Sequence, residues 1–175
     1  MRPSYFSRPV VGEYGPGFGK YIGLVPEGDV LGFLEGQLGE FLGLLAGMTE
    51  VEAMTVHAPY GWTIKQVVGH MTDCERIFGY RALRIGRNDA TPLASFDENA
   101  YMEHAAFDGV PIGELVGAFE LVRRGHLMLF RHFGDEAWIR VGVVNGHPAT
   151  TRAFAYAIAG HAKHHLDILH KRLGK

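Results

Sequence analysis

Cysteine is almost missing from this chain: Cys74 is the single one among 175 residues. No internal disulfide can form, and a reducing compartment is the simpler expectation. Long apolar runs are missing as well. No stretch reaches the roughly 20 uninterrupted apolar residues of a membrane span, and the opening MRPSYFSRPVVGEYGPG has no apolar core of signal-peptide length. The expectation is a soluble, cytoplasmic protein with no membrane partner. There is no basic excess either. Lys and Arg number 17 against 19 Asp and Glu, a formal net charge of -2, whereas nucleic-acid binding usually calls for a basic stripe. Arg81, Arg84 and Arg87 form a short basic run, but Glu75, Asp89 and Asp97 dilute it, so no nucleic-acid partner is expected.

Two familiar motifs fail at defined positions. GPGFGK looks like a phosphate loop, yet Tyr14 stands where its first glycine would be and Tyr21 follows the lysine in place of Ser or Thr. The segment reads as plain loop. The closing helix lacks HExxH, because Ala162 occupies the glutamate position. The general base of a zinc protease is therefore missing.

What is present is a globular composition, 47% apolar and 21% charged, in a length that fits one domain. Residues 1–27, rich in Gly, Pro and aromatics, read as an extended arm, and residues 28–175 as a single helix-bundle domain. A first helix is expected from Val30 to Met48, started by Pro26 and Asp29, with an apolar stripe through Leu31, Leu34, Leu38, Phe41 and Leu45. Its glycines, from Gly32 to Gly47, recur every three or four residues. They mark either a side for close backbone approach or a weak helix held by packing. Thr63 and Gln66 have the spacing of a capping box and open a second helix to about Arg87. A short helix is expected from Asp97 to Ala106, and a longer one from Pro111 to Phe133, stopped by Gly134. Asn145-Gly146 signals a short hairpin. The last helix runs from Thr151 to Leu173. The fold class is all-α: a four-helix bundle with a short β-hairpin before the last helix.

The chemistry lies in histidines. His161 and His165 are four apart, so they project from one helix face beside Phe154 and Ile158, an apolar face that points inward. Bundles build metal sites from side chains on facing helices, and His70 borders the apolar rows of the second helix. Three imidazoles would leave an open position, as a catalytic metal requires. Neutral imidazole suits zinc or nickel first, and iron and copper as well. The spacing equally allows a buried polar network. Asp73, three residues after His70, shares its helix side and could orient an imidazole or a bound water, or be a solvated acid. His164 reads as a supporting or interface residue beside the ligands, Cys74 as packing, and His126 as core. His57, His104, His132, His147 and His170 read as loop or surface residues.

In order along the chain, YIGLVPEGDVLGFLEGQLGEFLGLL, APYGWTIKQVVGHMTDCERIFGYRALRIGR, TPLASFDENAYM and NGHPATTRAFAYAIAGHAKHHLDIL resemble the DinB/YfiT-like family of metal-dependent proteins. The likeness runs from about Tyr14 onward. It implies a four-helix bundle, usually a homodimer, with a divalent metal on three histidines, which here are His70, His161 and His165. Relatives include transferases and isomerases that use the low-molecular-weight thiols mycothiol or bacillithiol, with the metal activating the thiol as thiolate. The resemblance therefore implies a metal-dependent enzyme acting on a small molecule, by thiol transfer or hydrolysis. The alternative is a non-catalytic metal- or ligand-binding protein of a stress response, which the lack of an obvious general base favours.

Overall fold

The computed structural model describes Tyr5 and residues 7–175. Its frame is four helices: α2 (Val30–Leu45), α4 (Ile64–Gly86), α6 (Ile112–Arg131) and α8 (Thr151–Leu173), joined by the shorter α1 (Gly19–Ile22), α3 (Glu50–Ala53), α5 (Glu98–His104) and α7 (Asp135–Ile139). The helix α4 packs against α6 and α8, and α2 closes the ring against the same two. The expected four-helix bundle is thus the observed one. The hairpin before the last helix is also present, with β1 (Val141–Val144) antiparallel to β2 (His147–Thr150). Its turn residues Asn145 and Gly146 both have positive φ, 50° and 75°, as the tight turn that suits strand twist requires.

Local chemistry explains the helix ends. The Asp29 carboxylate accepts from the backbone of Leu31 and Gly32 at the start of α2. Thr63 and Gln66 form the reciprocal capping box at the start of α4: Thr63 Oγ1 accepts from the Gln66 amide at 3.1 Å, and Gln66 Oε1 accepts from the Thr63 amide at 3.0 Å. Two ends differ from expectation. The helix α2 stops at Leu45, because Ala46 turns extended and Gly47 takes φ +72°. The helix α6 stops at Arg131, and Gly134 instead precedes α7, a helix whose five residues were too few to show a period.

The glycine side of α2 meets no neighbouring backbone: at Gly36, Gly39, Gly43 and Gly47 a Cβ would meet nothing within 4 Å. The tight approaches lie elsewhere, notably at Gly69 under the Phe107 ring and at Gly160 against the Tyr21 backbone.

The apolar interior divides in two. One cluster holds Leu34, Phe78, Leu127, Phe154 and Ile158, the other Leu38, Val67, Phe119, Ala162 and Leu166. Between them each long helix places polar residues: Gln37 on α2, His70 and Glu75 on α4, Arg123 on α6 and His161 on α8, all buried. Glu75, which the sequence suggests only as a charge offsetting nearby arginines, is 3% exposed and pairs with Arg123, which is fully buried. Arg123 Nη2 donates to Glu75 Oε2 at 2.8 Å and Nη1 to the Leu34 carbonyl at 3.0 Å. Gln37 Nε2 donates to the Ala159 carbonyl at 2.8 Å. These polar contacts tie the four helices together.

Candidate metal centre

His70 comes from the N-terminal third of α4, and His161 and His165 from successive turns of α8, the helix against which α4 packs. The three are 6%, 5% and 8% exposed. The Nε2 atoms of His70 and His165 stand 3.1 Å and 3.2 Å from Nε2 of His161, and one ligand atom from each ring lies within 4.8 Å of the others. Nitrogens sharing one zinc ion at about 2.0–2.1 Å cannot be more than about 4 Å apart, and these two contacts satisfy that bound. A neutral Nε2 carries either one hydrogen or one lone pair. His161 Nε2 therefore cannot complete hydrogen bonds to both neighbours, whereas a cation would satisfy all three lone pairs.

Electrostatics favour the neutral, ligating form. Burial holds His161 well below the usual histidine value, and the neighbouring His165 and His70 lower it further. Burial, then His70 and His164, lowers His165 to about 3. His70 is also lowered by burial, opposed by the negative charges of Glu98 and Asp73. The Nδ1 of His165 is buried without a partner among the described residues. Ring packing against His164 and His70 orients it, in place of the carboxylate or carbonyl that usually holds a ligating imidazole.

The histidines line a cavity of about 440 Å³. Residues from the N-terminal stretch form one wall: Gly15 to Phe18, Lys20 and Tyr21 all line it, and the Tyr21 ring packs edge-on to His161 and His164. GPGFGK therefore serves as wall and short helix. Trp62 packs on His70 with centroids 5.0 Å apart. The structure brings His164 to the cavity mouth as an exposed residue. Asp73 faces away from the cavity wall and pairs with Arg76 at 3.0 Å. Cys74 Sγ lies 3.7 Å from His70 Nε2, and burial pushes its thiol up to about 12, so it stays protonated. His126 sits beside Glu75, with Nδ1 3.5 Å from the carboxylate.

Several lining residues have no signal in the sequence: His147 and Asn145 arrive with the hairpin, and Glu98 and Asn99 with α5. Arg81, which helix periodicity puts on the His70 face of α4, lines the cavity as well. Glu98 matters most for chemistry, because it is a carboxylate at the rim whose field reaches both His70 and Cys74. The short helix was legible, but that its first residue lines the cavity was not.

No helix among the described residues is long and apolar enough to cross a membrane. No curated protein matches this chain. Among solved structures it is similar to YfiT from Bacillus subtilis, described as a probable metal-dependent hydrolase with an unusual four-helix bundle topology. The TM-score is 0.71 at 21% identity, over 94% of this chain and 95% of that one, a likeness that shows the fold. The model of the DinB superfamily matches residues 34–169, a span that contains all three histidines, and the chain therefore belongs to the DinB superfamily.

Proposed function

We propose that this protein is a metal-dependent enzyme acting on a small molecule, with a divalent ion, zinc or nickel, held by His70, His161 and His165. The observation that carries this reading is the convergence of three buried, neutral imidazole nitrogens on the floor of a 440 Å³ cavity, a volume within the usual range for small-molecule sites. When bound there, a divalent ion supplies Lewis acidity and makes water or a thiol a competent nucleophile near neutral pH.

The chain's own residues do the rest. The aromatic wall of Tyr21, Trp62 and Phe78 excludes bulk water from the histidines. Glu98, a carboxylate lining the cavity, would take a proton from the attacking nucleophile and return it to the leaving group. That carboxylate, together with the likeness to a probable hydrolase, favours hydrolysis. The room in the cavity supports thiol transfer as a second reading, because it takes a small thiol as well as an electrophile.

The test is metal content in protein purified without added metal or a polyhistidine tag, beside His161→Ala. About one divalent ion per chain, lost in the variant, is expected. A panel of small esters and amides is then assayed with and without thiol: turnover without thiol supports hydrolysis, and turnover only with thiol supports transfer. A wild type that takes up neither zinc nor nickel would overturn the reading.

The homodimer implied by the resemblance is supported by apolar side chains left in solvent. Tyr80, Leu83 and Leu121 line one shallow groove between α4 and α6, with Leu121 74% exposed. Sedimentation at micromolar concentration should show twice the chain mass, and Leu121→Glu should reduce it to one chain.

A further inference from the structure

Arg81 is 5% exposed and lines the cavity, yet among the described residues no carboxylate lies within ion-pair distance of it. Among the described residues its one hydrogen bond runs from Nη2 to the Ala94 carbonyl at 2.7 Å, and its guanidinium lies 5.3 Å from the centre of the Phe96 ring. A guanidinium has five N–H donors in a rigid fork, so most of this one is uncommitted. The other deeply buried arginines differ. Arg123 is matched by both oxygens of Glu75. Arg172 also lacks a carboxylate; the carbonyls of Thr55 and Trp62 and the ring of His57 take its Nη2 and Nε, its Nη1 is buried without a partner among the described residues, and it does not line the cavity. A desolvated cation without a counter-ion is costly. Holding the Ala94 carbonyl would need only a neutral donor.

The surroundings define what would complete it. Phe18, Phe78 and Phe154 give the cavity an apolar wall, and the histidines lie on the same wall as Arg81, earlier along α4 and across on α8. Lys20 is an exposed second cation at the mouth, and Glu98 an exposed anion at the rim. Arg81 and Lys20 against Glu98 leave one net positive charge, which balances a single negative charge, so a carboxylate fits better than a phosphate dianion. The planar fork also matches a carboxylate in the bidentate manner. We infer that Arg81 anchors the carboxylate of a small substrate with an apolar, ring-sized body, which places the opposite end of that molecule over His70, His161 and His165. Which end reacts rests on the metal-centre reading. The anchoring rests on Arg81 alone.

The probes are phenylacetate and its neutral isostere phenylacetamide, titrated by calorimetry into chelator-treated, metal-free protein at pH 8. Wild type should bind phenylacetate at least about tenfold more tightly. Added salt should narrow the preference less than for an exposed cation, because the site is buried. Arg81→Gln should abolish the preference. Equal affinities in wild type, no binding of either ligand, or a preference that survives in folded Arg81→Gln would each overturn the inference. Should Arg81→Gln fail to fold, the wild-type contrast still decides, with Arg81→Lys, which keeps the charge without the fork, expected to weaken it. A wild type that takes up no metal but discriminates the two ligands would sink the metal reading and leave the anchor. A metal-loaded wild type that fails to discriminate would do the reverse.

Discussion

Gly160 lies directly against the backbone carbonyl of Tyr21, so closely that a Cβ at this position would overlap the oxygen. Helix α8 thus admits the N-terminal segment at the residue just before His161, and that contact brings the Tyr21 ring onto the histidines.

Gly160→Ala should therefore act on the site as well as on stability. The main chain of α1 has to move, a form of overpacking that costs about 1–3 kcal/mol. Limited proteolysis should cut residues 10–25 faster than in wild type. Unchanged stability and cleavage would show that the segment does not dock this tightly in solution.

Breaking the Glu75–Arg123 pair should be among the most damaging single changes. Burial raises the Glu75 carboxyl, but the Arg123 charge and hydrogen bonds, aided by His126, outweigh it and leave it below its ordinary value. Glu75→Gln strands a fully buried guanidinium, and urea unfolding should show a loss of about 3–5 kcal/mol. Replacing both residues by methionine should recover most of it. A loss under about 1 kcal/mol for Glu75→Gln would mean that water reaches Arg123.

Metal-free protein should lose stability as pH falls below neutrality. His161 and His165 are neutral in the folded chain, because burial holds both below the ordinary histidine value of about 6.5, His165 at about 3. Below pH 6.5 the unfolded chain binds more protons than the folded one. This contribution is therefore complete above that pH and is lost as pH drops toward the folded value. Each such histidine adds a slope of up to about 1.4 kcal/mol per pH unit. Urea melts at pH 7, 6 and 5 in chelator should show it, and His165→Gln should flatten the slope by about one proton. An equal slope in the variant would mean that His165 is protonated in the fold.

Glu98→Gln separates proton transfer from metal binding. Metal content should stay at the wild-type level, because Glu98 is not among the three converging ligands. On a substrate turned over by wild type, kcat should drop about a hundredfold or more. Wild-type kcat in the variant would assign the proton transfer elsewhere, with His164 at the mouth the next residue to change.

Much of this molecule was legible without coordinates. The Thr63–Gln66 box, the Asn145-Gly146 turn and the three-four apolar rows are local signals, set by backbone hydrogen bonding and helix periodicity, and each lies where the structure has it. His161 and His165 share a face because of helix pitch alone. Their meeting with His70 depends on how α4 packs along α8. The same packing sinks Glu75, which the sequence shows only as offsetting nearby arginines, beside Arg123, and turns Arg81 into the cavity. Of the two readings of the α2 glycines, close backbone approach does not occur at Gly36, Gly39 or Gly43, because spacing reports which side a residue is on and not what faces it. Sequence alone determined the helices, the turn and which histidines share a face, since these depend on neighbours within a turn or two. Only the tertiary structure decided which charges lose water and which residues from the arm, α5 and the hairpin surround the histidines, since desolvation and convergence depend on segments far apart in the chain.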